Sequence, residues 1–549
     1  MKLKKRMVTL TLAVSMAAGV LAGCGGGNAS SQGGTATTQA TDPQSPAAGE
    51  TTTEAAAGET AAADSTAASG GSVVIAIPQK HNTFYMPQST TTSDRFGAQP
   101  VLEPLGRADS EGNYYPWLAE EFVTDADALT FTIKLRDGVT FHDGSVCDAE
   151  AVAWNIEQYI ANGKASEIGT PKEVRVIDGL TVEIQYEAWA NNWDNVIGDI
   201  YICSKEAYEK NGEEWCKNNA VGTGPFLLES FIMDNQITYT KNENYRISGQ
   251  PYVDRVQIDI IQDYNTMMSA LLNKEVSVAV KFENEAMINA IKQGGFESIG
   301  QRNANCADIK HIIWNSKSDK HPMGDLKVRQ AIMHAIDWDN VALALSGGLG
   351  EATPLFCTKD SWAYSPDAEF YEFNLELAKE MLTEAGYPDG FDTKIYTKSN
   401  DNDTATVFQA ILAQIGIRAT IETLDSSALA AIQESDDIDG FIANRGSSKM
   451  DFTSNYIRLY SSEGIKNHGI MLRPAEFEEP LFAARAAKTI EEKKTNLQLA
   501  SKALVQDYVM LTPMAVVYYE TFADPALKDV GIYEANLEQW TPESVRWEQ

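Results

Sequence analysis

The segment from residue 25 to residue 71 constrains the fold most, because it cannot contribute to a hydrophobic core. It consists almost wholly of Gly, Ala, Ser, Thr and Gln, and it contains no aromatic residue and no aliphatic side chain larger than alanine. Such a composition buries too little apolar surface to offset the chain entropy lost on folding. The sequence therefore predicts a flexible tether here and a folded protein after it.

The residues before the tether have the pattern of an export signal. An apolar stretch covers residues 7–20, which is shorter than the ~20 residues of a membrane-spanning helix, and it follows a basic n-region formed by Lys2, Lys4, Lys5 and Arg6. The stretch ends in Leu-Ala-Gly-Cys, which resembles the cleavage box of bacterial lipoproteins. This resemblance implies a lipoprotein signal peptide at residues 1–23, lipid attachment at Cys24, and the tether at residues 24–71. An ordinary signal peptide followed by a chance cysteine is the alternative.

The remaining chain, residues 72–549, is long enough for two or three domains. The whole chain has a formal net charge of −33, and nearly all of it falls on this part. A nucleic-acid partner is not expected, because such binding requires a net basic surface. Two interpretations of the acidic balance stay open, namely solubility and attraction of a cationic ligand.

The cysteines and histidines do not form a metal-binding or catalytic pattern. Five cysteines remain after Cys24, so at least one is unpaired within a monomer, and no CxxC pair occurs. We expect buried free thiols, with a bridge between Cys203 and Cys216 as the open alternative. The chain also lacks HExxH, GxSxG and dinucleotide-binding motifs. The sequence therefore predicts a binding protein without a metal or cofactor, and not an enzyme.

Local patterns predict a mixed α/β protein. The continuous apolar run at residues 73–77 is typical of a strand buried on both faces. Residues 129–135 alternate with a period of two, and residues 174–186 read as a hairpin across Asp178-Gly179, with a helix predicted between them at residues 149–160. Further on, Asp325 and Asn374 each precede a stretch with helical spacing, and the helix at residues 407–415 is followed by a strand at 417–421.

Six motifs occur along the folded part in a specific order and at specific distances, although each alone is modest evidence. They are Leu102-Glu103-Pro104-Leu105, Tyr115-Pro116-Trp117-Leu118-Ala119-Glu120, Leu135-Arg136-Asp137-Gly138-Val139-Thr140-Phe141-His142-Asp143-Gly144, Val221-Gly222-Thr223-Gly224-Pro225-Phe226, Val328-Arg329-Gln330-Ala331-Ile332, and Ala385-Gly386-Tyr387-Pro388-Asp389-Gly390-Phe391. Together they resemble family 5 of the extracellular solute-binding proteins, which serve ABC importers of oligopeptides, dipeptides, nickel chelates and some sugars.

The resemblance implies a two-lobed, periplasmic-binding-protein-like α/β fold of type II with three domains and a ligand cleft between the lobes. Domain I, in lobe 1, is discontinuous and comprises residues 72–100, 200–304 and 505–549. Domain II, an extra small mixed domain of lobe 1, covers residues 101–199. Domain III, at residues 305–504, forms lobe 2.

The resemblance also implies the function. The chain is expected to be the extracytoplasmic, monomeric solute-binding component of an ABC transporter, anchored by its lipid at the outer face of a bacterial membrane or in the periplasm. It would deliver a small ligand, foremost a peptide, to the permease subunits. Two alternatives stay open, namely a receptor for a metal chelate of the nickel type or another cationic nutrient, and a receptor that senses a peptide signal.

Two charged residues are carried over from the oligopeptide-binding members as ligand contacts. Arg445 and Asp451 stand at the separation found there, which implies that Asp451 receives the α-ammonium of a peptide and Arg445 a carboxylate. The chain departs from those members at Ser448, where they often have Trp, and this departure puts a standard peptide in doubt. The alternative is that both residues are loop charges.

Aromatic residues and one histidine complete the predicted ligand site by their position along the chain. They follow the first strand, precede the second half of domain I, or follow the helix that Asp325 caps, and aromatic walls suit a closed cleft. The candidates are His81, Tyr85, Trp193, Trp362 and Tyr364. A core position is the alternative for each.

Overall fold

The computed structural model describes residues 70–108, 114–299, 307–447, 451–464, 469–532 and 540–548. All of them belong to one compact unit, Ala63–Gln549. The predicted signal, Cys24 and most of the tether lie outside the described residues.

The strands and helices of this unit alternate along the chain. The strands are β1 Ser72–Ile77, β2 Glu103–Pro104, β3 Gly106–Ala108, β4 Tyr114–Pro116, β5 Ala119–Asp125, β6 Thr130–Leu135, β7 Pro171–Asp178, β8 Thr181–Tyr186, β9 Tyr201–Ile202, β10 Phe226–Ile232, β11 Gln236–Lys241, β12 Arg255–Ile260, β13 Val278–Phe282, β14 Glu297–Ser298, β15 Asp308–Trp314, β16 Asp392–Lys398, β17 Arg418–Leu424, β18 Gly440–Ser447, β19 Leu511–Val517, β20 Glu520–Ala523, β21 Leu527–Lys528 and β22 Arg546–Trp547. The helices are α1 Thr92–Ala98, α2 Ala149–Tyr159, α3 Trp193–Gly198, α4 Lys205–Asn211, α5 Glu213–Asn218, α6 Tyr264–Leu272, α7 Glu285–Gln293, α8 Leu326–Met333, α9 Trp338–Leu345, α10 Leu375–Glu384, α11 Asn402–Gln414, α12 Ser426–Glu434, α13 Phe452–Tyr460, α14 Ala475–Ala486 and α15 Ile490–Lys502.

A seven-stranded sheet in the order β10-β11-β12-β1-β13-β20-β14 forms the first part of the molecule, and we call it sheet I. The predicted buried strand is β1 at its centre, parallel to β12 and β13. Val73, Ile75 and Ile77 are inaccessible to solvent, as the apolar run predicts. Because β20 comes from the end of the chain, sheet I unites segments that are far apart in sequence.

A four-stranded antiparallel sheet, β5-β6-β8-β7, forms sheet II and contains the predicted hairpins. The hairpin of β7 and β8 turns at Asp178-Gly179, and α2 corresponds to the helix predicted at residues 149–160. One continuous hydrophobic core joins sheets I and II, so we call the body that they form lobe 1.

A five-stranded sheet in the order β17-β16-β18-β15-β19 is sheet III, and the body built on it is lobe 2. Its two faces carry separate cores. The predicted helices are present: the Asp325 side chain caps α8 by accepting from the Lys327 amide, and Asn374 caps α10 through the Leu377 amide. The chain passes between the lobes before β15 and again between β19 and β20.

The motif Gly222-Thr223-Gly224-Pro225 is structural. A Cβ atom at Gly222 would lie 2.1 Å from the carbonyl oxygen of Val101, so only glycine allows this approach. The Thr223 hydroxyl donates to the buried carboxylate of Glu103, which Arg246 also contacts at 3.0 Å. The motif thus fastens two loops of lobe 1 together.

The cysteines of the described residues are free thiols. Cys147, Cys203, Cys216 and Cys357 form no disulfide, and burial raises the pKa of each thiol. The alternative of a bridge between Cys203 and Cys216 is therefore wrong. Cys306 lies outside the described residues.

Candidate ligand-binding site between the lobes

The two lobes touch at a group of charged residues beside the chain crossings, which we call the hinge cluster: Arg445, Glu283, Asp308 and Tyr519. Arg445 projects from β18 of lobe 2, and its Nη1 donates to Glu283 Oε2 of lobe 1 at 3.0 Å. The same nitrogen donates to the Tyr519 hydroxyl at 2.7 Å, and that hydroxyl donates to Asp308. Arg445 therefore already has protein partners for its guanidinium.

The charged groups of the hinge cluster balance one another within the protein. Burial lowers the pKa of Arg445, but Tyr519 and the carboxylates of Glu283 and Asp308 outweigh this effect and raise it. The carboxyl of Asp401, inaccessible to solvent, lies 3.7 Å from Arg445 Nε, and burial raises its pKa despite this cation. Opposite charges thus stabilise one another here without a ligand.

A second contact joins the lobes through residues that are not part of the chain crossings, and we call it the asparagine contact. It comprises Asn191 and Asn192 of lobe 1 with Asp451, Ser454 and the end of α14 in lobe 2. Asn191 Nδ2 donates to the carbonyl oxygens of Ala484 and Ala487, each at 3.0 Å. Its backbone amide donates to the carbonyl oxygen of Arg485 at 3.0 Å. The last carbonyls of a helix lack intrahelical partners, so Asn191 caps α14 from the opposite lobe.

Asn192 forms a hydrogen bond to Asp451, the carboxylate that the resemblance implies as a ligand contact. Its Nδ2 donates to Asp451 Oδ2 at 3.3 Å and to the Ser454 hydroxyl, which in turn donates to Asp451. Asp451 precedes α13 but does not cap it with its side chain. Instead, the carboxylate points at groups from α13, α15 and the other lobe.

The other oxygen of Asp451 faces a cation of the same chain. Lys493 Nζ lies 3.1 Å from Asp451 Oδ1, and the two side chains are only 13% and 8% exposed. Burial raises the pKa of Asp451, but Lys493 and the hydrogen bonds from Ser454 and Asn192 outweigh this effect and lower it. Asp451 is therefore an ionised, nearly buried carboxylate between the lobes.

The profile of the bacterial extracellular solute-binding proteins, family 5, matches residues 113–467, which is more than half of the chain. The chain belongs to this family.

Individual relatives agree with the family assignment. The glutathione-binding protein GsiB of Salmonella paratyphi A is 29% identical over 367 residues, which cover 65% of this chain and 70% of that protein. The peptide-binding DppA of Helicobacter pylori, solved with the peptide STSA, superposes with a TM-score of 0.76 at 21% identity and covers 88% of this chain and 99% of its own. NikZ of Campylobacter jejuni, solved with Ni(L-His), has a TM-score of 0.73 at 19% identity and covers 86% and 99%. These similarities confirm the predicted two-lobed fold class, and DppA is an ABC transporter-associated periplasmic binding protein.

Two of the aromatic residues predicted for the site of this family 5 protein, Trp362 and Tyr364, pack against the core of lobe 2. The ring of Trp362 has its centroid 5.7 Å from Lys493 Nζ and packs edge-on against Phe452 at 5.9 Å. Tyr364 packs against the same core, and its carbonyl oxygen accepts from Gln498 of α15 at 2.8 Å. Trp362 thus lies beside Lys493, and Tyr364 contacts the helix that carries this lysine.

The other three predicted residues lie inside lobe 1. Trp193 follows Asn192 directly, but its indole is 1% exposed and stacks on Tyr186 at 4.3 Å, so it anchors the asparagines rather than facing the other lobe. His81 is inaccessible to solvent beside Phe84, and burial lowers its pKa to about 4. Tyr85 is 1% exposed and donates to Gln158 at 2.8 Å. This conformation gives none of the three a surface for a ligand.

Sequence reasoning missed four residues of this site: Asn191, Asn192, Ser454 and Lys493. An Asn-Asn pair before a short helix is a weak signal for a helix start. Lys493 belongs to a polar helical stretch with several lysines, and nothing local distinguishes it from its neighbours.

Within the ranges that the structure describes, no helix is long and apolar enough to cross a membrane. The same ranges contain no group of three or more His, Cys, Asp or Glu side chains arranged to hold a metal ion.

Proposed function

We propose that this family 5 protein is the solute receptor of an ABC importer and binds a small peptide or peptide-like ligand between its lobes. The observation that carries the proposal is the asparagine contact, where polar groups of both lobes enclose the ionised carboxylate of Asp451. A site of this kind is completed only when the lobes approach each other, which is how a closing receptor traps its ligand.

The ligand class rests on the relatives. GsiB is named for glutathione and DppA was solved with a peptide, so two of the relatives cited above take small peptides. The site offers an aromatic ring, Trp362, beside Lys493, together with hydrogen-bonding groups, which suits a ligand that is partly apolar and partly polar. We also propose that the protein acts in transport without catalysis, as a monomer.

Mass spectrometry of the small molecules that co-purify with the native protein tests this function most directly. We expect a peptide or a peptide derivative. Calorimetry with the identified compound should give saturable binding, and X-ray scattering should give a smaller radius of gyration at saturation without a change in secondary structure. Recovery of a nickel chelate, or binding without compaction, would contradict the peptide receptor.

We propose further that the chain is exported and held at the membrane by a lipid on Cys24. The cleavage box at residues 21–24 supports this proposal. Metabolic labelling with a fatty-acid analogue should mark the protein, and Cys24→Ser should abolish the label, because the variant lacks the acceptor thiol. Ligand affinity of the purified Cys24→Ser protein should stay within twofold. Equal labelling of the variant would contradict lipid attachment at this residue.

A further inference from the structure

Lys493 lies where a ligand's ammonium was expected. The sequence implied that Asp451 receives the amine of a peptide, yet the ammonium 3.1 Å from Asp451 Oδ1 belongs to the chain itself. The question is whether this lysine is a fixed part of the site or a side chain that a ligand can displace.

Three observations indicate that Lys493 is fixed. Asp451 and Lys493 both belong to lobe 2, at the start of α13 and in the first part of α15, so their ion pair does not depend on lobe closure. Leu497 and Ala500, farther along α15, are inaccessible in the core of lobe 2 and hold the helix in place. The Lys493 side chain is 13% exposed, with its ammonium near the face of Trp362.

Most hydrogen-bond acceptor positions of the Asp451 carboxylate are also occupied by groups of the protein. An ionised carboxylate has about four acceptor positions. Lys493 lies at one oxygen, and Ser454 and Asn192 donate to the other. A ligand ammonium would have to share Asp451 with a like charge in a nearly buried place, which is unfavourable. Asp194 of lobe 1 acts on the same pair: burial and the charge of Asp451 raise the pKa of its carboxyl, and the charge of Lys493 lowers it.

The Lys493 ammonium has N–H donors beyond the one that Asp451 accepts. A lysine ammonium carries three N–H donors and no acceptor, and Asp451 accounts for one of them. The polar group presented beside Trp362 is therefore a donor. Its complement is an acceptor, such as the oxygen of an amide, an acyl group or a carboxylate.

We infer that Lys493 is the resident cation of the Asp451 site and selects a ligand whose end at this position carries an acceptor oxygen and no free amine. This inference rests on the proposed peptide function and narrows it to peptide-like ligands with an acylated, amidated or absent amine at that end. Lys493 is then a specificity-determining residue.

Calorimetry with two matched probes tests the inference, namely the tetrapeptide Ser-Thr-Ser-Ala and its N-acetyl form. The wild-type protein should bind the acetylated probe at least as tightly as the free amine. Lys493→Met keeps the length and the apolar part of the side chain but removes the charge, so it should tighten binding of the free amine at least tenfold relative to the acetylated probe. Lys494→Met, the next residue on α15, is the matched control and should leave the ratio of the two affinities unchanged.

A second variant covers the case in which Lys493→Met fails to fold, as judged by circular dichroism and thermal unfolding. Asp451→Asn should change the ratio of free-amine to acetylated affinity by less than threefold, since the ligand amine does not reach this carboxylate. A preference of the wild-type protein for the free amine of tenfold or more, lost in Asp451→Asn, would overturn the inference.

If neither probe binds the wild-type protein, the peptide function and the role of Lys493 can still be judged separately. This result would count against the peptide function. Lys493→Met then still decides the inference: a gain of binding for the free amine alone supports it, and no gain for either probe overturns it.

Discussion

The hinge cluster and the asparagine contact both join the lobes through polar groups, but only the hinge cluster contains residues that lie at the chain crossings. Tyr519 of the hinge cluster lies in the short segment between β19 and β20, and Asp308 opens β15 directly after the other crossing. The asparagine contact joins residues 191–192 to residues 451–454, which are remote from both crossings along the chain.

This difference separates the roles of two residues that the sequence treated as a pair. When two lobes rotate about a hinge, groups near the pivot move little and groups far from it separate. We therefore expect Arg445 to keep its partners in an open form as well, and Asp451 to meet Asn192 only on closure. This difference predicts that Arg445 contributes mainly to stability and that the contacts of Asp451 with the other lobe depend on closure.

The largest effect is expected from Arg445→Met. The variant removes the cation shared by Glu283, Asp308 and Asp401, of which Asp401 keeps Lys398 at 3.6 Å. Removing one partner of a buried charge cluster costs about 5 kcal/mol at the upper end of the usual range. We expect a loss of this size in the free energy of unfolding, measured by urea denaturation at pH 7.

Arg418→Met provides the matched control for that loss. Arg418 pairs with Asp392 at 2.6 Å, but both side chains are mostly exposed. Exposed ion pairs contribute less than about 1 kcal/mol. Similar losses for the two variants would show that the hinge cluster is not a stabilising centre.

The second prediction compares two buried carboxylates, Asp451 and Asp401, whose pKa values are shifted in opposite directions. Because the pKa of Asp451 is lowered from 3.8, its ionised form stabilises the fold above pH 3.8, and this contribution is lost as the pH falls through the lower pKa of the folded state. Asp451→Asn should cost about 3 kcal/mol at pH 7, because Lys493 is left nearly buried without its counter-ion. The difference from the wild type should shrink toward pH 3.

Asp401 should behave in the opposite sense. Its raised pKa means that it stabilises the folded state below pH 3.8, and that this contribution is lost as the pH rises through the higher folded value. The difference in unfolding free energy between the wild type and Asp401→Asn should therefore move in favour of the wild type as the pH falls from 7 to 3. Parallel pH profiles of the two variants would contradict the distinction between the two carboxylates.

The sequence predicted those parts of the molecule that depend on local patterns. The run at 73–77 predicted β1, and the caps Asp325 and Asn374 predicted the starts of α8 and α10 correctly, because capping and burial periodicity act over a few residues. The predicted helix at 407–415 begins earlier, at Asn402, since its polar first turn carries no apolar periodicity.

The partners of the charged site residues could not be predicted in the same way. Sequence comparison indicated that Arg445 needs a carboxylate and Asp451 an ammonium, and both types of partner are present. They come from Glu283 and Lys493 of the same chain, through the packing of distant elements that no local pattern encodes. For His81, the position after β1 predicts a ligand contact, whereas in this conformation Phe84 and Phe231 pack against its ring.

The smallest effect is expected from Asn191→Ala, which weakens the asparagine contact without removing a charge. The variant loses the two hydrogen bonds from Asn191 Nδ2 to α14, and each such bond contributes about 0.5 to 1.5 kcal/mol. If these bonds form only on closure, the loss falls on the closed form alone, and ligand affinity should drop roughly tenfold, since 1.4 kcal/mol corresponds to that factor. X-ray scattering should show compaction at correspondingly higher ligand concentration.

Asn211→Ala removes a similar bond, from Nδ2 to the carbonyl oxygen of Ala207 at 2.9 Å within α4, and should leave affinity and compaction unchanged. Closure of Asn191→Ala at wild-type ligand concentrations would mean that this contact does not distinguish the closed form, and the contrast with the hinge cluster would then fail.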